Sequence, residues 1–342
     1  SKVTTLQKTF YEASSFNRDL NSWKVSEVTS LLRTFADAAN FNGDLGSWDT
    51  SKVTTMEKTF EGAHAFNEDL GAWGVSSVTD MAATFYKASL FNCNLNSWDI
   101  SKVTTLHTTF GDASNFNSDL NSWDALSVTT LRWTFYNTPQ FNSDLSSWDI
   151  SKVSTLHGTF AYSNFNRALN AWDVSKVTTF ESAFNNADEF NRDLNAWDVS
   201  SATTLASTFF AASKFNGDLS SWDVSRVKTL ASTFERTMKF NCDISAWNVA
   251  KVTDLTSTFA TTQGYKRYTL FNGNLNAWDV SSVSHLQAAF EYAPFNGDLS
   301  AWDVSNADTL YMMFKSSEFN GDISSWDVQR VADVWHTYEA NN

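Results

Sequence analysis

Only two prolines, two cysteines, five histidines and twelve glycines occur in the 342 residues. So little proline and glycine excludes a flexible linker or a low-complexity tail of any size. Two cysteines cannot make the disulfide framework that staples small secreted folds, so stability has to come from buried apolar layers. Basic residues are also short: 24 Lys and Arg stand against 38 Asp and Glu, a net charge of −14. A phosphate backbone needs a basic face to neutralise it, which speaks against DNA or RNA as a partner. No stretch approaches the roughly 18 uninterrupted apolar residues of a membrane helix, and the first residues lack the basic, apolar, small-residue order of a signal peptide.

What the chain has in excess is aromatic residues at a fixed period. Thirteen tryptophans, Trp23, Trp48, Trp73, Trp98, Trp123, Trp148, Trp172, Trp197, Trp222, Trp247, Trp278, Trp302 and Trp326, follow one another at steps of 25 residues, with three steps of 24 and one of 31. Only Trp133 and Trp335 stand outside the series. A Phe-Asn pair precedes each of the thirteen by seven residues, from Phe16-Asn17 to Phe319-Asn320, and a further Phe follows twelve residues later, replaced only at the end by Tyr338. Every change of step falls between that Phe and the next Phe-Asn pair, which marks this stretch as the surface loop. A regular period of this length is the signature of a solenoid, in which each coil contacts only its neighbours. One continuous repeat domain over 1–342 is therefore expected, about 60 Å long at about 4.8 Å per coil. It starts in mid-repeat and shows no polar cap, as if cut from or assembled into something larger. Cys93 and Cys242 occupy the same repeat position six coils apart, about 29 Å by that spacing, too far to pair.

Within one coil, Leu45, Trp48 and the position of Thr50 give the spacing L-x-x-W-x-V, which predicts a short parallel strand. Val53, Met56, Phe60 and Ala63 then recur at i, i+3, i+7 and i+10, which predicts a short helical segment with Ser51 as its N-cap. The fold class expected is thus an α/β solenoid, a leucine-rich-repeat-like right-handed parallel coil of 13 repeats of about 25 residues. The repeated Asn after Phe has a structural reading, an amide that bonds the backbone of its own turn and its neighbour.

The unit FNxDLSSWDVSxVTxL/M…F resembles the repeat of bacterial surface proteins and mycoplasma lipoprotein-associated domains, related to the BspA-like leucine-rich repeats, and the resemblance covers essentially the whole chain. It implies a cell-surface or extracellular interaction module, often an adhesin, without a shared catalytic site. The family's Met before the helical Phe is mostly Thr here, as at Thr34 and Thr84.

Three columns and one loop are candidates for function. The residue after Trp is Asp49, Asp99, Asp124, Asp149, Asp173, Asp198, Asp223, Asp279, Asp303 or Asp327, with Lys24, Gly74 and Asn248 as exceptions. By strand alternation this column faces outward. A second Asp precedes the Leu or Ile of the next L-x-x-W. Stacked carboxylates repel, so hydrogen bonds to turn amides, basic neighbours such as Lys52, or bound cations must offset them; the ladder is a candidate site for Ca2+ or a cationic partner, no other cofactor being implied. Thr9, Thr34, Thr59, Thr84, Thr109, Thr134, Thr159, Thr208, Thr233 and Thr258 form a column that either orders water or binds sugars or ice, or fills the gaps between coils. The longest step inserts a loop carrying Tyr265, Lys266, Arg267 and Tyr268, contact-prone residues for a protein partner.

Catalysis finds no support. The histidines are scattered, His107 and His157 lying two coils and about 10 Å apart, and no nucleophile elbow, phosphate loop or metal-ligand cluster is present. A non-enzymatic scaffold that binds protein partners through its repeat faces is expected, with an architectural subunit of a larger complex as the second reading.

Overall fold

A computed structural model describes residues 2–261 and 269–333. The chain falls into two compact units, Ser1–Asp173 and Val174–Asn342, each a stack of coils. Among the described residues there is no helix and no strand longer than a single bridge pair. The α/β description is therefore replaced by a solenoid of turns.

The coil through residues 53–66 shows why. Met56, Lys58, Phe60 and Gly62 donate their N–H groups to Asp80, Ala82, Thr84 and Tyr86 of the next coil at 2.7–2.9 Å. The amides between them turn inward instead: Thr59, Glu61 and Ala63 donate to Met56, Lys58 and Phe60, three residues back. Each residue thus alternates between holding the neighbouring coil and closing a local turn. Lys58 (φ 56) and Gly62 (φ 65) occupy the third position of the turns 56–59 and 60–63, where a type II turn requires positive φ. The same two places in other coils hold Arg33 and Asp37, Ala83 and Lys87, or Ser182 and Asn186, all with positive φ. A four-residue repeat of turns buries nearly the positions a helix of 3.6 residues per turn would bury, so the short spacing i, i+3, i+7 does not separate the two.

Threonine tips the balance away from helix. Thr59 Oγ1 lies 2.8 Å from the Met56 carbonyl and 3.1 Å from that of Leu31, one coil back. Such local side-chain bonds offer the backbone an alternative to the helical ladder. Thr34, Thr59, Thr84, Thr109, Thr134, Thr159, Thr208, Thr233 and Thr258 are fully buried and hold coils together, so this column is no face for ice or sugar; only Thr9 is exposed. Thr109→Val keeps the shape but removes the bond to the Met81 carbonyl. We expect a loss of about 1 to 2 kcal/mol in denaturant unfolding.

The parallel bridges also lie elsewhere than L-x-x-W-x-V. They join Thr5, Ser30, Thr55, Asp80, Thr105 and Thr130 in the first unit, and Thr179, Thr204, Thr229, Asp254, His285, Thr309 and Asp333 in the second. L-x-x-W is itself a turn, closed by the Trp48 N–H on the Leu45 carbonyl at 3.0 Å. Parallel pairing needs neighbouring carbonyls in register, and the Thr pairs supply it: Thr54 donates both its N–H and its hydroxyl to the Thr29 carbonyl.

Three aromatic ladders fill the core. Trp48 and Trp73 stack at 6.0 Å, Phe60 and Phe85 at 5.6 Å, and Phe66 and Phe91 at 6.1 Å. Within the coil Phe60 lies on Phe66 at 4.0 Å, so each layer is a closed set of offset rings. Each buried indole needs a partner for its N–H. Trp48 Nε1 donates to the Leu20 carbonyl and Trp73 Nε1 to that of Leu45, both one coil back. The second unit repeats the pattern, with Trp222 and Trp247 at 6.2 Å and Phe209 and Phe234 at 5.8 Å. The stack runs through the long insertion unbroken, Trp247 to Trp278 at 6.4 Å.

Candidate contact surface

The repeated polar residues are used by the fold. Asn17, Asn42, Asn67, Asn92 and Asn117 form a ladder in which each side-chain oxygen accepts the N–H of the equivalent Asn one coil on, at 2.7–2.9 Å. This is the structural role read from the sequence. Both Asp columns close Asx turns. Asp44 Oδ1 accepts from the Gly46 N–H at 2.8 Å, and Asp49 Oδ1 from the Ser51 N–H at 3.2 Å and the Ser51 hydroxyl at 2.6 Å. Asp99, Asp124, Asp149, Asp198, Asp223, Asp279, Asp303 and Asp327 accept in the same way from the amide two residues on. Asp173 has partners as well.

The column does face solvent, but from a turn rather than a strand, and Ser51 caps no helix. Lys52 makes its direct ion pair with Glu27, at 2.8 Å, as Lys2 does at 3.4 Å, while its charge still favours the ionised Asp49 as a lesser contribution beside the Ser51 bonds. The hydroxyl and amide of Ser51 hold the Asp49 carboxyl below its ordinary value, and the same bonds act on Asp99, Asp223 and Asp303. A folded value below the unfolded one gives stability that is complete above about pH 3.9 and drains as pH falls through the lower folded values. The thermal midpoint should therefore hold from pH 7 down to about 5 and drop below about 4. A midpoint indifferent to acid would remove this role. Among the described residues no three His, Cys, Asp or Glu converge as they would around a metal. Cys93 and Cys242 are free, half-buried thiols, and burial pushes both up to about 11.

What is left for contact is the outer edge of the turns, the four positions that Glu57, Lys58, Glu61 and Gly62 occupy in one coil. Here the residues change from coil to coil. In the first unit these positions gather an aromatic patch across 82–87, 107–112, 132–137 and 157–162. Trp133 sits at its centre, 6.3 Å from the His107 ring and 5.5 Å from that of His157. Tyr136 lies 6.0 Å from Trp133 and meets Tyr162 edge-on at 5.6 Å. The Arg132 guanidinium lies 4.8 Å from the Trp133 ring centre, and the Lys87 ammonium 5.0 Å from that of Tyr86. Asn137 Nδ2 donates to Asp112 Oδ1 at 2.6 Å. Burial holds the His107 imidazole below its ordinary value. Trp133 is 37 % exposed and Tyr162 47 %, while the ladder tryptophans Trp123 and Trp148 are at 2 %. The two-coil spacing of His107 and His157 speaks against a shared metal, and the Trp133 indole fills the space between them. The signal for the patch in the sequence is Trp133 itself, outside the tryptophan series. Tyr265, Lys266, Arg267 and Tyr268 lie outside the described residues.

The family described as "Mycoplasma protein of unknown function, DUF285" matches residues 1–92, 68–167, 156–268 and 261–342. The chain belongs to this family. As a DUF285 member it is a repeat protein of a family whose function is unknown. No curated protein matches it. Among solved structures, a leucine-rich repeat protein from Bacteroides ovatus is similar at 9 % identity, covering 82 % of this chain and 76 % of its own, with a TM-score of 0.32. The functional domain of InlJ from Listeria monocytogenes, which includes a cysteine ladder, is similar at 13 % identity, covering 87 % and 67 %, with a TM-score of 0.26. The leucine-rich repeat domain of APL1B follows at 12 % identity over 98 % and 90 %, with a TM-score of 0.21. This DUF285 chain carries no such ladder: its two cysteines are single and free. No helix among the described residues is long and apolar enough to cross a membrane.

Proposed function

We propose that this chain is a non-enzymatic interaction scaffold, working at the cell surface or outside the cell, that binds protein partners through the outer edge of its turns. One observation carries the reading: the side chains repeated from coil to coil are consumed by the coil, whereas the turn-edge positions, exposed at Arg132, Trp133, Asn137 and Tyr162, differ from coil to coil. A residue that every coil needs is a residue for making coils. Specificity has to be written where neighbours differ, and a solenoid presents such positions as one extended surface. Trp, Tyr and Arg, the side chains that dominate contact energies, concentrate on that edge in the first unit. The surface placement follows the resemblance of the repeat to bacterial surface proteins.

Two pairs of substitutions separate edge from column. Asp99→Ala with Asp149→Ala should lower the thermal midpoint and leave capture of a partner from the source cells intact. Trp133→Ala with Tyr162→Ser, at partly exposed rings, should cost far less stability than a core-ladder change such as Trp123→Ala and should abolish capture. The reverse pattern would return function to the repeated column.

A further inference from the structure

The aromatic patch is built for a ligand of a particular chemistry. Trp133 and Tyr86 do not merely lie on the surface; each is seated over a glycine of the following coil. A Cβ on Gly158 would run into Cδ1 and Nε1 of the Trp133 indole. A Cβ on Gly111 would meet Thr108 Cγ2 of its own coil first, at 2.8 Å, and would stand 3.2 Å from Tyr86 Cδ2. Backbone conformation does not explain Gly158. Its φ is +61, but the equivalent place is held at positive φ by Lys58, Ala83, Thr108 and Ser182. In no other coil is that place Gly, and the same is true of the place of Gly111. Gly158 makes room for the Trp133 ring, which carries the Arg132 guanidinium over it and stays 37 % exposed.

The chemistry around those rings is polar. The edge positions of 107–112, 132–137 and 157–162 contain no Leu, Ile, Val or Met. A protein-binding hot spot packs its aromatics into desolvated apolar pockets. Here the rings carry an O–H or N–H, with Trp133 beside the Arg132 guanidinium and the His107 and His157 imidazoles and Tyr86 beside the Lys87 ammonium. Lys87 and Arg132 against Asp112 leave the patch with a single net positive charge on a chain of net charge −14. The chain's net charge repels polyanions at long range. The exposed parts of the Trp133 and Tyr162 rings can meet the partly positive C–H bonds of a sugar ring, as the aromatic quadrupole favours. Arg, Asn, Asp and His are groups that bond vicinal hydroxyls.

We propose that the patch centred on Trp133 binds a neutral polysaccharide, laid along the turn edge across successive coils. The inference rests on the turn edge being the contact surface, and goes beyond it by naming a saccharide rather than a protein at this place.

Affinity electrophoresis of the whole chain in gels cast with soluble β-glucan, mannan or galactan tests it, with polygalacturonate as the anionic comparison. Retardation by at least one neutral polysaccharide is expected, unchanged in about 0.5 M salt and weakened about tenfold or more by Trp133→Ala and by Tyr162→Ser. Tyr311→Ala, at an edge position of the second unit, should retain it. Unfolding curves of the two patch variants that superpose on the wild type keep a loss of binding from being a loss of fold. No retardation by any neutral polysaccharide would overturn the proposal and leave the turn-edge reading to the capture experiment. Retardation by polygalacturonate alone, abolished by salt, would overturn it too. Retardation undiminished in both patch variants would overturn the proposal and the turn-edge reading together.

Discussion

Trp123→Ala should destabilise the first unit by about 3 to 5 kcal/mol, the range for removing a large aromatic from a packed core. Trp123 is 2 % exposed and stacks between Trp98 at 6.5 Å and Trp148 at 5.9 Å. It also meets Phe110 at 6.0 Å and donates its indole N–H to the Leu95 carbonyl at 2.9 Å. Alanine opens a void that rings anchored on both sides cannot close, and it strips a buried carbonyl of a donor. Trp123→Phe separates these two losses, since it keeps most of the volume and gives up the bond. Denaturant unfolding of both variants would show it. Because coils contact only their neighbours, the loss should fall on the layers around Trp123 first. Hydrogen exchange at Trp98 and Trp148 should quicken more than at Trp23, and uniform quickening would contradict the layered stack.

Ala83→Pro should be as damaging for a different reason. Ala83 has φ 51, and its N–H donates to the His107 carbonyl of the next coil at 2.8 Å. Proline holds φ near −65° and has no N–H, so the change costs about 3 kcal/mol or more from the backbone alone. Loss of the folded state in the thermal melt is the expected result, and an unperturbed melt would mean that residue 83 does not have this conformation.

Much of the architecture can be read from the residues. Phe-Asn and Trp at a fixed period give the coil, the aromatic ladders and the Asn ladder, because identical residues stacked at identical positions have no partner but each other. The local conformation between Val53 and Ala63 cannot be read so directly. Its burial pattern fits a helix, and the deciding fact, that alternate amides leave the coil for the next one, is a property of neighbours rather than of the segment. The bridges were misplaced for the same reason: Leu45 and Trp48 look like strand residues, while the paired residue is Thr55. Of the two readings open for Thr59 and its equivalents, a surface array or fillers between coils, the second holds: their hydroxyls are satisfied by carbonyls inside the stack. The contact surface was least legible. Attention to repeated columns leads to residues such as Asp49, and those are the ones the turns consume. Trp133, His107 and His157 come together only once the turn geometry places alternate residues on one edge.

That geometry, and with it the placement of the turn edge, rests on residues such as Ala83 standing in the left-handed region rather than in a helix. Ala83→Gly tests it in one measurement of unfolding free energy. Glycine relieves a left-handed penalty of about 1 to 2 kcal/mol and gives back about 0.5 to 1 kcal/mol in chain entropy. The expected result is a protein as stable as the parent or more stable by about 0.5 to 1 kcal/mol. In a helix the same change would cost about 1 kcal/mol, and a loss of that size would contradict the string of turns.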